Sequence, residues 1–294
     1  MNIFDEIVDS FKKGGTLVKL IYINLGVYLV FNLLLVFFFL AGAKDSFQLF
    51  YYLAVPAQIT NLLARPWTVF TYMFFHEGFL HILFNLLWLY WLGNIFLHYK
   101  SERELLGVYI MGGIAGAALY ILFFNMFPVF AESLPISYAL GASAAVYAVV
   151  FAIATYKPNL SLNLMFIGPV KLKYIVTFLV VIDIISIAGT NAGGHIAHIG
   201  GALFGSFFII TQRKGINLLR PILWLIGIWE SNNPIRRKPK MKVDYRRTAD
   251  DMEYNRIKVE KQKEIDAILD KISKSGYDKL TAEEKKTLFN MKGQ

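Results

Sequence analysis

The sequence predicts an all-α, polytopic membrane protein: a bundle of six transmembrane helices followed by a small helical, basic cytoplasmic tail. Three observations lead there. Six apolar segments approach bilayer-spanning length. Of the 294 residues 56% are hydrophobic and only 17% charged, and mean hydropathy is +0.47. The charge is also segregated: residues 1–212 hold ten Lys/Arg against nine Asp/Glu, whereas residues 213–294 hold twenty against twelve. The expected division is a cytoplasmic N-terminal segment (1–17), a six-helix core (18–213), an interfacial helix with a basic linker (214–249) and a helical hairpin tail (250–294).

The spans are expected at about 18–42, 79–98, 105–126, 141–156, 173–190 and 195–212. The first is as long as a bilayer-spanning helix and has no small-x-small site after it, so it reads as a retained helix and not a cleaved signal peptide. The loop from Gly42 to Gly78 is rich in aromatics (Phe47, Phe50, Tyr51, Tyr52, Trp67, Phe70, Tyr72, Phe74, Phe75) and poor in charge. It is expected to lie partly immersed at the membrane interface. The fourth span is short: about 16 residues reach roughly 24 Å, less than the ~30 Å hydrocarbon core. Its first turn can then sit in a water-accessible pit below the outer surface. Beyond the sixth span, Ile216 to Trp229 is too short to cross and contains Arg220-Pro221, so an interfacial helix is expected.

Lys12, Lys13 and Lys19 precede span one, Lys100 and Arg103 follow span two, and Lys157, Lys171 and Lys173 follow span four. Arg213, Lys214 and the basic tail follow span six, while the loops 127–140 and 189–194 carry no Lys or Arg. The positive-inside bias therefore puts both termini in the cytoplasm, with Lys44 and Arg65 as the exceptions. His81 and Asn85 then open span two, Ser143 opens span four and His198 opens span six, all near the extracytoplasmic end.

Polar side chains inside apolar spans are costly and are expected to face protein or water. Ser143, in Gly141-Ala142-Ser143-Ala144-Ala145, taken alone reads as a small helix-packing residue. His198, in a span whose Gly201 and Gly205 share its face, needs a partner. Those glycines offer a flat surface for the small face of span four, which would bring Ser143 toward His198 as a nucleophile–base pair. Tyr147, one turn past Ser143, either stacks on His198 or is ordinary aromatic packing. Asn85 and His81 either aim donors at an oxyanion or bond to each other.

No acidic residue is well placed by sequence to make a triad. Asp183, in span five, reads chiefly as a helix–helix anchor or a protonated, silent group, with a catalytic role as the minor alternative. His195 is an alternative base. A metal site built from His76, Glu77, His81 and His195 stays open, although no His-Glu-x-x-His is present and the His76-Glu77 spacing to His81 is wrong for that motif. The expectation is no metal. The absence of Cys excludes disulfides and a thiol nucleophile.

Residues His76 to Asn85 (HEGFLHILFN), Gly141-Ala142-Ser143, and Ala197-His198-Ile199-Gly200-Gly201 with Gly205 together resemble the rhomboid family of intramembrane serine proteases, over about 67–205. The resemblance implies a six-helix rhomboid-like core and Ser143 as nucleophile. It implies His198 as general base without a third acidic member, and His81 and Asn85 as oxyanion partners. It further implies single-pass transmembrane protein substrates, no cofactor and residence in a bacterial inner membrane. Two departures stand out: Ala144 where the family has Gly after the nucleophile, and Trp67-Thr68 in place of a Trp-Arg pair, with Arg65 a candidate substitute. The alternative is a non-catalytic binding or retention factor of the same fold.

Residues 236–247 carry seven basic residues and one acid, which suits anionic lipid headgroups better than nucleic acid. Farther on, Ile265, Ile268, Leu269 and Ile272 mark an amphipathic helix stopped at Ser275-Gly276. Thr281 and Glu284 then form a capping box for a second helix.

Overall fold

A computed structural model describes residues 2–42, 48–164, 167–232 and 249–290. Lys44, Phe47 and the basic run 236–247 lie outside the described residues. The chain divides into two compact units, Met1–Arg236 and Arg237–Gln294.

The first unit begins with α1 (Ile3–Lys13) and α2 (Thr16–Leu40). The aromatic loop folds into three short helices, α3 (Gln48–Tyr51), α4 (Ile59–Ala64) and α5 (Thr68–Thr71), around a two-residue strand β1 (Val55–Pro56). Then come α6 (Phe79–Tyr99), α7 (Glu102–Met126), strand β2 (Tyr138–Ala139), α8 (Ser143–Tyr156), the β3–β4 hairpin (Ser161–Leu164, Gly168–Lys171), α9 (Leu172–Ser186), α10 (Ala192–Arg213) and α11 (Arg220–Asn232). The all-α expectation holds apart from these two-stranded pieces. β1 pairs antiparallel with β2, Val55 opposite Ala139, and so ties the first loop to the segment just before α8.

By length and apolar composition α2, α6, α7 and α10 can cross a membrane. Helices α8 and α9 are shorter, with 14 and 15 residues. At 1.5 Å per residue α8 reaches only about 21 Å.

Helix α8 is the centre of the bundle, with ten of its 14 residues buried. Two alanines one turn apart, Ala144 and Ala148, face glycines on both sides. A Cβ on Gly201 or Gly205 of α10 would overlap the carbonyl oxygens of Ala144 and Ala148 respectively. A Cβ on Gly116 or Gly112 of α7 would overlap the methyls of the same two alanines. The flat surface expected on α10 is thus matched by a second one on α7, which the sequence reading did not anticipate. Small residues permit this close backbone approach, and in lipid the resulting van der Waals contact is a main source of helix association.

Polar ties fix the periphery. Tyr109 of α7 accepts from Asn24 of α2 (3.0 Å) and donates to the carbonyl of Met73 (3.3 Å). Arg65 donates to the carbonyl of Tyr51 (2.6 Å) and lies over the rings of Tyr52 and Tyr138, so it does brace the first loop against the segment before α8. Trp67 Nε1 donates to the carbonyl of Tyr52 (2.9 Å). At the end of the bundle opposite Ser143, Lys100 lies over the Tyr156 ring and Arg213 donates to the carbonyl of Thr155 (2.9 Å). Lys100 and Arg213 therefore lie at the far end of α8 from the candidate nucleophile, and Arg65 at the near end.

In the second unit α12 (Ala249–Ser275) ends before Gly276, whose φ of +80° continues no helix. In α13 (Ala282–Asn290) the capping box forms: Thr281 N–H donates to Glu284 (2.7 Å) and Glu284 N–H to Thr281 Oγ1 (3.3 Å). Lys271 binds the Glu284 carboxylate at 2.8 Å and holds it below the ordinary carboxylate range.

Candidate active site

Ser143 is the first residue of α8 and is half-buried. The turn delivering it depends on Gly141, whose φ of +120° suits no other residue. That glycine also makes room: a Cβ there would stand 2.9 Å from the His81 ring and 3.7 Å from Ser143 Oγ. His81, near the start of α6, therefore sits beside the nucleophile turn. Gly141 N–H donates to the carbonyl of Tyr72 (3.0 Å), pinning the turn to the end of the aromatic loop.

His76 supports the same turn from beneath. It is 2% exposed, and its Nε2 accepts from the N–H of Ala142 at 3.4 Å. Its ring meets that of His81 edge-on, centroids 5.1 Å apart. Burial, with His81 nearby, pushes the His76 imidazole down to about 4, so it stays neutral, with its proton on the buried Nδ1.

His198, in the second turn of α10, stacks on Tyr147, with centroids 4.4 Å apart and planes 18° off parallel. Of the two readings open for Tyr147, stacking is the one realised. Because Tyr147 is one turn beyond Ser143 on α8, the imidazole is laid against the face carrying the serine. Gly201 and Gly205 make this possible by letting α10 approach α8 to backbone contact.

Asp183 is where the sequence reading needs correction. It is 2% exposed, and its Oδ1 lies 2.9 Å from His198 Nδ1 and 2.8 Å from His195 Nδ1. An acid is thus placed against the candidate base after all. The signal was available: α9 and α10 form a tight helical hairpin about Gly189, and Asp183 and His195 each lie six residues from it. Equal distance from a hairpin turn means equal depth. The cap of α10, Asn191 accepting from Gly194 N–H (3.2 Å), fixes that register.

Asn85 is buried. Its side-chain nitrogen donates to the carbonyl of His81 (2.9 Å), one turn back in its own helix, which occupies one of its two N–H groups. It lines a cavity of about 170 Å³ with Phe84, Trp88, Tyr147 and Leu179, opening beside the site between α6, α8 and α9.

The metal set suggested by His76, Glu77, His81 and His195 is not assembled: His195 pairs with Asp183, and Glu77 is exposed. Among the described residues, the group with ligand atoms close enough for an ion is Asp183, His195 and His198, all within 4.8 Å of one another. Two imidazoles and a carboxylate are a donor set that zinc accepts.

Two family models match the chain. A model described as Rhomboid domain matches residues 63–214, just over half the chain, and spans every site residue named above. A family of unknown function, DUF6576, matches residues 248–290, the segment of α12 and α13. The chain is 29% identical over 161 residues to "RHOMBOID-like protein 12, mitochondrial" of Arabidopsis thaliana, covering 51% of this chain and 48% of that protein. The chain therefore spans about half the length of that curated relative.

Proposed function

The chain belongs to the rhomboid family of membrane proteins, and from that premise we propose that it is an active intramembrane serine endopeptidase. The observation that carries this reading is the His198 ring, stacked on Tyr147 one turn from Ser143 and hydrogen-bonded on its Nδ1 edge. Such a ring has Nε2 left to act as a base.

In this reading Ser143 Oγ attacks the scissile carbonyl of an unwound substrate segment while His198 Nε2 takes the hydroxyl proton. The carbonyl π pair moves to oxygen. That oxyanion is received by backbone N–H groups of the α8 first turn, His81 and the second N–H of Asn85. As the oxyanion collapses the C–N bond breaks and His198 gives its proton to the leaving amine. Water, losing a proton to His198, then attacks the acyl-enzyme and displaces Ser143 Oγ, which takes the proton back. None of these steps calls on a metal. Ala144 keeps the backbone N–H that a glycine would offer. The substrates proposed are single-pass transmembrane proteins cut near their extracytoplasmic ends.

Six crossings (α2, α6, α7, α8, α9 and α10) complete the proposal, with both termini cytoplasmic in a bacterial inner membrane and the run 236–247 on anionic headgroups. The charge distribution supports it, as do the basic groups at the end of α8 away from Ser143.

The test is cleavage of a model transmembrane substrate by purified protein, comparing wild type with Ser143→Ala and His198→Ala. Both substitutions are expected to reduce turnover to background, a loss of at least about 10⁴-fold. Cleavage surviving either change sinks the Ser–His assignment. Substrate retained but uncut by wild type favours a binding or retention factor.

A further inference from the structure

We infer that Asp183 is a positioning residue of this site, a third member that fixes the tautomer of His198 and faces the charge that ring acquires during turnover. The inference rests on the Ser143–His198 reading above and adds an acid to it.

The chemistry of the contact sets the direction of each hydrogen bond. An ionised carboxylate can only accept, so both imidazoles that reach Asp183 Oδ1 must donate from Nδ1. His198 then carries its resting proton on Nδ1, and the lone pair is on Nε2. A ring in the opposite tautomer would present N–H to the serine and could not take its proton. Asp183 thus selects the competent form.

The ring is also fixed in orientation. Tyr147 covers one face at 4.4 Å, and His195 meets the ring edge-on with centroids 5.9 Å apart. The charged or titratable groups around His198 come from four elements: Tyr147 on α8, Asp183 on α9, His195 on α10 and His81 on α6.

The balance of the step explains why a carboxylate matters there. As the Oγ–C bond forms, the serine proton moves to Nε2 and His198 becomes an imidazolium. Its Nδ1–H is then a charge-assisted donor to Asp183 at a water-poor site, where that attraction is least screened. The carboxylate keeps its charge throughout and takes no proton. A helix anchor alone would be satisfied by His195. The second bond, to His198, is the part anchoring does not require.

The test uses the full-length protein in proteoliposomes, with kcat and KM measured for wild type, Asp183→Asn and Asp183→Glu on one transmembrane substrate. Asp183→Asn is expected to lower kcat by about 100-fold or more with KM within about threefold. Asp183→Glu, which restores the charge, is expected to recover at least about tenfold of that loss. Histidine ¹⁵N NMR on wild type reads the tautomer directly and does not depend on how the variants fold; Nδ1–H is expected at His198. Wild-type kcat in Asp183→Asn, or an Nε2–H tautomer in the resting enzyme, overturns the inference and leaves the Ser–His reading standing. An inactive wild type overturns both.

Discussion

Helices α8 and α9 are neighbours of nearly equal length, and they are held in opposite ways. Ten of 14 residues of α8 are buried, with Ala144 and Ala148 pressed between glycines of α7 and α10. Of the 15 residues of α9 only Leu172, Ile175 and Asp183 are buried, and Phe178, Ile184 and Ile185 are more than half exposed on its outer face. One helix is fixed by close packing along its length. The other is tied near its end by a carboxylate between two imidazoles. The candidate nucleophile rides on the first and the carboxylate beside the candidate base on the second, so the site joins a rigid element to a lightly held one.

The largest expected effect breaks the packed side of that contrast. Gly205→Leu drives a side chain into the backbone of Ala148, where no flexible atom can yield. Overpacking of this kind commonly costs 1–3 kcal/mol, and a backbone collision exceeds that range. The expected outcome is loss of monodisperse protein, or a fall in Tm large enough to leave little folded at 37 °C. The matched change on α9, Ile185→Ala, removes a side chain that is 69% exposed and is expected to stay within about 0.5 kcal/mol of wild type. Equal losses at the two positions would mean that α9 is packed as firmly as α8.

A second measurement sharpens the polar side. If protons alone join Asp183, His195 and His198, a strong chelator should leave cleavage within about twofold of the untreated rate, since no ion is removed. Cleavage lost on chelation and restored by zinc would make the tie a metal site and give α9 a different anchor.

The two helices were also unequally legible in the sequence. Apolar runs mark nearly every span, and the four-residue spacing of Gly201 and Gly205 foretells the surface on which α8 packs, because helix periodicity is local. What the sequence hides is pairing between distant segments. Gly112 and Gly116 are unremarkable in an apolar helix until Ala148 and Ala144 lie opposite them. The pairing of Val55 with Ala139 joins residues with four helices (α4 to α7) between them and leaves no local signature. An acid in an apolar span such as Asp183 has several uses, and burial does not choose among them. Counting from the Gly189 turn would have chosen, since a hairpin makes sequence distance into depth.

The smallest expected effect concerns Ala144, the residue after the candidate nucleophile. Its methyl is 1% exposed and occupies the space that Gly116 leaves on α7. The added methyl is thus accommodated by a glycine on the neighbouring helix and not by strain in the nucleophile turn. Ala144→Gly removes one buried methyl and adds backbone freedom in the first turn, a loss of about 1–2 kcal/mol. Cleavage should stay within about threefold, because the N–H is unchanged. Gly116→Ala should cost more, since its methyl meets both Ala144 and the carbonyl of Ala197. The double variant should recover part of that cost, which a double-mutant cycle on Tm would detect as favourable coupling. No coupling, or a cleavage rate raised more than tenfold by Ala144→Gly, would place the cost of this methyl in the nucleophile turn itself, and α8 would then be less settled at its first turn than its burial implies.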